Sequence, residues 1–311
     1  MSPSPLAIAF RVVPRLPFGL VARASDLAAD ALALIGPAPV QRLAKNLERL
    51  TGAAPSKTLM RAAVRSHLRN YAEQLSLGGA AGAPLRSAVA FDGFDRLVEA
   101  SQDGPVILAL GHSGSWDRIG AWACANGRTV LTVAEKLEPP ELFDAFVDLR
   151  EGLGMEIIGA AKGDSVFSRL VERARGRSVI VALLADRDIS GSGIEVDFGG
   201  HRALVAAGPA ALAARLGRPL FTACLSYADL ERRPATARID IVGPIRVDAD
   251  ALPDGVNEVE ALTQAWVDEY VPLLRRHPED WHMMQRVYTD DLDPERLARA
   301  RARHNARGGT P

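Results

Sequence analysis

The stretch Val106-Ile107-Leu108-Ala109-Leu110-Gly111-His112-Ser113-Gly114-Ser115-Trp116-Asp117 decides how the rest of the chain is read. Five apolar residues in a row are too few for a helix. Bounded by a Gly/Ser turn, they read as a buried strand. Ser115 is placed to cap a helix over 116–125. A strand that turns through a short polar loop into a helix is the opening of a β-α-β unit.

The same texture continues on the carboxyl side. Strand runs are expected at 129–134, 155–158, 178–184, 220–226 and 237–242, and helices near 139–152, 164–175, 208–216 and 256–276. Strands alternating with helices make an α/β fold, a central mixed sheet with helices on its faces. On the amino side the pattern differs. Apolar residues at helical spacing (Leu20, Ala24, Leu27, Ala31, Leu34) predict a helix over 18–35. Further helices are expected over about 40–50 and 56–77, separated by Pro37 and Pro39 and ended by Gly78-Gly79. The chain is therefore read as one domain over 1–311: a mostly helical, membrane-proximal part over 1–80, an α/β core over 88–290 and a charged tail over 291–311 that frays beyond about Arg303.

Composition bounds the function. At 311 residues, 48% hydrophobic and 24% charged, the chain can bury a large core. A net charge of −1 gives no field for nucleic acid. Only four of the 37 basic residues are Lys, so Arg dominates; it suits bidentate binding of carboxylate or phosphate, and a GC-rich coding sequence gives the same bias. Cys124 and Cys224 sit in apolar surroundings and read as small buried residues, not a disulfide or metal site. The span 18–35 is broken by Arg23, Asp26 and Asp30 and cannot cross a bilayer, and Met1–Phe10 lacks a basic leader, making it a poor secretory signal. Helix 18–35 can either lie on a membrane with its apolar face inserted or pack into the core.

His112 falls where a strand ends and a helix begins, the position at which open α/β sheets bind ligands. Asp117 follows five residues later. On one continuous helix that spacing is about 140° apart, but with His112 in the loop and Asp117 in the first helical turn the carboxylate can fold back onto the imidazole. A carboxylate on one ring nitrogen leaves the other as general base, able to deprotonate an attacking alcohol with no enzyme nucleophile. A structural loop histidine beside a first-turn acid favoured by the helix dipole is the plain alternative.

Gly111-His112-Ser113-Gly114-Ser115 also comes within one residue of the G-x-S-x-G nucleophile elbow, which would make Ser113 the nucleophile of an α/β-hydrolase with His277 or His282 completing a triad. Ser115 in place of the last Gly, the helical character of the preceding chain and the lack of an HGGG-like segment count against it. No Walker loop, no G-x-G-x-x-G after a strand and no histidine spacing for a metal is present.

His112-Ser113-Gly114-Ser115-Trp116-Asp117 resembles the H-x4-D box of glycerolipid acyltransferases, in the H-x-G-N-W-D form of the lipid A late acyltransferase superfamily. Asn46-Leu47, Arg69-Asn70-Tyr71-Ala72-Glu73, Val89 to Leu97, Ala185-Asp186-Arg187-Asp188, Gly193 to Gly200 and Ala207-Gly208-Pro209-Ala210 agree with it. Trp281-His282-Met283-Met284-Gln285 and Asp291-Leu292-Asp293-Pro294-Glu295-Arg296 are most similar to the actinobacterial phosphatidylinositol mannoside acyltransferase branch. The resemblance covers nearly the whole chain. It departs at Ser115, where Asn is usual, at Ser113, where Met is common, and at Gly199, where a second Phe is expected.

The resemblance implies a membrane-associated enzyme at the cytoplasmic face of the cell membrane, in peripheral contact with anionic lipid. It would move a palmitoyl-type chain from acyl-CoA, as substrate, to a mannose hydroxyl of a phosphatidylinositol mannoside, with a lipid A precursor as the alternative acceptor. Neither metal nor cofactor is implied. His112 would be the base and Asp117 its orienting acid; Glu135 and Arg150 would line the polar acceptor and catalytic cleft, and Asp186, with Arg187 beside it, would stand close to the catalytic histidine, able to bond it or a sugar hydroxyl. Without the resemblance, Glu135 and Arg150 could pair with each other, and Asp186, Arg187 and Asp188 could form a solvated turn.

Overall fold

Val106–Leu110 is a strand with every residue buried, at the middle of a seven-stranded sheet. The protein is described by a computed structural model over residues 5–302, apart from 137–138, 161–164, 190, 231, 233, 249–251, 253–254, 296 and 299–300. In chain order the helices are α1 (Pro5–Val12), α2 (Phe18–Ile35), α3 (Ala38–Thr51), α4 (Lys57–Ser76), α5 (Gly82–Ser87), α6 (Phe94–Ala100), α7 (Trp116–Ala125), α8 (Pro140–Gly152), α9 (Val166–Ala174), α10 (Gly208–Leu216) and α11 (Glu258–Arg276). The strands are β1 (Val89–Asp92), β2 (Val106–Leu110), β3 (Val130–Glu135), β4 (Glu156–Ala160), β5 (Ile180–Leu184), β6 (Ile194–Asp197), β7 (Arg202–Val205), β8 (Leu220–Ala228) and β9 (Thr236–Ile245).

The sheet order is β1-β9-β8-β2-β5-β3-β4. The five strands from β8 to β4 run parallel, as crossover helices on both faces require, while β9 turns back antiparallel to β8 and pairs in parallel with β1. This is the mixed α/β sheet read from the sequence. The antiparallel hairpin β6–β7 stands apart from it. The largest core cluster joins β2, β5 and β8 to α10, α11 and Leu43, Leu47 and Leu50 of α3. α3, with Ala63 of α4, is thereby built into the same core.

Local chemistry sets the helix ends. Ser56 Oγ accepts the Leu59 N–H at 3.1 Å and caps α4, and Asn257 and Glu260 form a reciprocal capping box on α11. α2 packs on α4 through Ala29 and through Asp30, which takes bidentate bonds from both Arg61 and Arg65. The opposite face of α2 carries Leu20, Ala24, Leu27, Ala31 and Leu34, and all five are exposed. The apolar stripe therefore faces outward, so core packing is not its role. Among the described residues no helix is long and apolar enough to cross a membrane. The expected fraying beyond Arg303 lies outside the described residues.

Candidate active site

His112 stands two residues past the end of β2, and Asp186 two residues past the end of β5. These strands pair in parallel with Leu110 opposite Leu184, so both side chains emerge together at the carboxyl end of the sheet. His112 Nδ1 lies 2.6 Å from Asp186 Oδ1, and the His112 backbone N–H donates to Oδ2 at 2.9 Å. The Trp281 indole N–H donates to the same Oδ2, also at 2.9 Å. Burial pushes the Asp186 carboxyl up, but the neighbouring His112 and the three N–H groups outweigh it and hold the group below the ordinary carboxylate value.

An ionised carboxylate can only accept, so Nδ1 carries the ring proton and Nε2 keeps its lone pair. The Asp186 side chain is fully buried, whereas that of His112 remains 28% exposed. The imidazole is thus held from inside and open on the solvent side.

The loop that carries His112 is close-packed. A Cβ on Gly111 would lie 1.9 Å from Tyr270 Oη, so only glycine fits there. Gly114 has φ of 53°, and a Cβ there would meet the Leu225 backbone at 2.8 Å. The Ser113 hydroxyl is buried, accepts the Leu225 N–H at 3.1 Å and lies 3.8 Å from Cys224 Sγ. Among the described residues no imidazole bonds to it. His282 is buried with Nε2 on Ser66, and His277 lies 3.7 Å from Glu279, so neither completes a serine triad. The nucleophile-elbow reading finds no support in this geometry.

Asp117 sits elsewhere than expected. Its carboxylate takes Arg150 Nε at 2.7 Å and Arg150 Nη2 at 3.3 Å, and accepts the Gln74 amide. Among the described residues His112 and Asp117 share no hydrogen bond or ion pair. The expected His112–Asp117 pairing is therefore replaced by His112–Asp186. Asp117 instead ties α7 to α8 and α4. Burial pushes its carboxyl up, and the Arg150 guanidinium opposes the shift. That guanidinium lies over Trp116 at 4.4 Å and is itself buried, so Arg150 is spent on Asp117 rather than turned to an acceptor. Ser115 occupies the cap position of α7 but its hydroxyl makes no cap bond.

Glu135 does not pair with Arg150 either. It ends β3, next to β5, with its side chain half exposed, 3.7 Å from Arg187 Nη2. Asp186 and Asp188 are buried and the first is fully bonded, so 186–188 is not a solvated turn. Glu195 accepts a bidentate contact from Arg301 at 2.5 and 3.0 Å, and Arg202 lies 3.8 Å from it. A concavity of about 760 Å³ is lined by this hairpin and α11, and neither His112 nor Asp186 is in its lining.

The distant motif pieces meet. Asn46 Nδ2 donates to the carbonyls of Met283 and Gln285, each at 2.8 Å, and Asp291 binds Arg42 and Arg49. Glu73 and Arg118 form a fully buried ion pair, and Arg118 also caps the carbonyls of Leu85, Ala88 and Ala235.

An imidazole–carboxylate pair at the carboxyl end of a parallel sheet, with no imidazole bonded to the neighbouring Ser113 among the described residues, has the geometry of a general base without an enzyme nucleophile. The chain belongs to the bacterial lipid A biosynthesis acyltransferase family, whose model matches residues 6–289. Within that class it is similar to proteins named phosphatidylinositol mannoside acyltransferase. One, from Mycobacterium tuberculosis, is 34% identical over 270 residues, covering 85% of this chain and 81% of that protein. Another, from Mycolicibacterium smegmatis, is 34% identical over 265 residues, covering 83% of each chain.

Proposed function

We propose that this acyltransferase moves a palmitoyl-type chain from acyl-CoA to a mannose hydroxyl of a phosphatidylinositol mannoside, working at the cytoplasmic face of the cell membrane. The observation that carries the reading is the His112–Asp186 pair, with Nε2 left free on a partly exposed ring.

His112 Nε2 removes the hydroxyl proton as the oxygen attacks the thioester carbonyl. The new ester C–O bond forms, the C–S bond breaks, and the departing thiolate takes the proton from the imidazolium and leaves as free coenzyme A. Asp186 steadies the imidazolium through Nδ1. Glu135 and Arg187, at the ends of the neighbouring strands, offer an acceptor and a cation to the polar acceptor head. No step requires a metal.

Membrane contact is assigned to the outward stripe of α2 together with α1 and the turn after it. Among the described residues twelve large apolar side chains stand exposed, and seven of them lie before residue 36, including Ile8, Leu16, Leu27 and Leu34. That concentration in the amino-terminal segment fits insertion at headgroup depth.

The acceptor is tested by incubating radiolabelled palmitoyl-CoA and the protein with purified mannosylated phosphatidylinositol or with a lipid A precursor. Label should appear in the mannoside. Label only in the lipid A precursor would assign the other acceptor.

A further inference from the structure

We propose that Trp281 is a positioning residue for the transfer reaction, acting through Asp186; this rests on the reading of His112 as the base. The resemblance that marks residues 281–285 assigns Trp281 no role.

Its surroundings place it there. The indole N–H is the one side-chain donor besides His112 among the described residues that binds the Asp186 carboxylate. The indole ring is fully buried and stacked on Phe198, with centroids 5.5 Å apart and planes at 14°, so its direction is fixed. Its backbone runs antiparallel against Ser113 as an isolated bridge, flanked by His282 N–H donating to the His112 carbonyl at 2.7 Å and Gly114 N–H donating to the Asp280 carbonyl at 3.0 Å. Asp280 is anchored in turn by the Ser66 hydroxyl at 2.5 Å and the Tyr227 N–H at 2.9 Å. Segment 280–282 thus splints the His112 loop and aims one donor at the acid behind it.

The consequence is chemical. A carboxylate must spread four lone-pair directions over its partners, and one that loses a donor turns and becomes more basic. A more basic Asp186 grips the Nδ1 proton harder and stabilises the imidazolium. The neutral ring needed as base then becomes populated only at higher pH. A tryptophan that merely fills the core would shift none of this.

The test compares wild type, His112→Ala, Trp281→Phe and a protein with Trp281 replaced by benzothienylalanine, which keeps the ring shape and lacks the N–H. All are assayed for palmitoyl transfer from acyl-CoA to the mannosylated acceptor across pH. For the isostere, kcat should fall about tenfold, KM for acyl-CoA should hold, and the acid limb of kcat/KM should move up by about half a pH unit or more. Trp281→Phe, normalised to its folded fraction, should repeat the shift of the limb. An isostere with wild-type kcat and an unmoved limb overturns the proposal. If instead wild type shows no transfer, or His112→Ala retains it, the reading of the site fails before Trp281 is at issue.

Discussion

Residues behind the site titrate as well as those in it. His67, on α4, has its Nδ1 buried without a partner and its ring edge-on to Tyr71 and His282. Burial lowers its pKa to about 4. A histidine neutral in the fold and protonated when unfolded adds stability above its ordinary value of 6.5, and that stability is lost as pH falls below it. At pH 5 the loss should be about 1–2 kcal/mol. His67→Phe keeps the ring contacts and abolishes the titration, so urea unfolding at pH 7 and pH 5 should show a smaller acid loss than in wild type. Equal losses in the two proteins would refute the assignment. His112 itself could be picked out from the sequence because it follows an unbroken apolar strand. Its partner could be placed near it only through the family resemblance, not by spacing. Asp186 lies 74 positions downstream and becomes adjacent only because β5 pairs with β2, a choice that local spacing does not encode. A signal was nevertheless present: both strands are five-residue apolar runs, each with its polar residue two positions beyond the end. Trp281 carried no such mark, because its role depends on a contact 95 residues away in sequence.

At the scale of elements, Asp117 is the junction of three helices. Its carboxylate neutralises the buried Arg150 guanidinium of α8 and accepts Gln74 of α4. Removing one member of a buried ion pair leaves the other charged and unsolvated, which costs about 3–5 kcal/mol. Asp117→Asn should therefore lower the unfolding free energy measured in urea by that much, with a lower midpoint, and Asp117→Asn with Arg150→Met should recover most of the loss. An unchanged midpoint in the single variant would show that the junction contributes little. The periodic and continuous patterns were readable to the residue: α2, α7, α10 and β2 fall where the sequence places them. The short elements were not. β1 has two exposed residues of four, and β6 and β7 have four residues each, too few for a period to emerge over the turn residues around them. Helix α2 was recognisable as amphipathic, but which way its apolar stripe points depends on α4, held by Asp30, Arg61 and Arg65.

For the whole molecule, the sheet carries the His112–Asp186 pair and the amino-terminal helices present apolar side chains to the outside. Leu27 and Leu34 are 72% and 88% exposed, so replacing them leaves the core intact. Each leucine partly withdrawn from water contributes on the order of 1 kcal/mol to surface binding. Leu27→Glu with Leu34→Glu should reduce sedimentation with phosphatidylglycerol-containing vesicles by about tenfold or more, at an unchanged melting temperature. Undiminished binding would place the membrane face elsewhere.

The central claim is that His112, held by Asp186, is the base that activates the acceptor hydroxyl. Single-turnover transfer of labelled palmitate from palmitoyl-CoA to mannosylated phosphatidylinositol tests it directly, with His112→Ala, Asp186→Asn and Ser113→Ala compared with wild type as folded proteins. His112→Ala and Asp186→Asn should each lose about 10²- to 10⁴-fold in rate, while Ser113→Ala keeps transfer within a few-fold of wild type. Full activity in His112→Ala, or loss confined to Ser113→Ala, would contradict it.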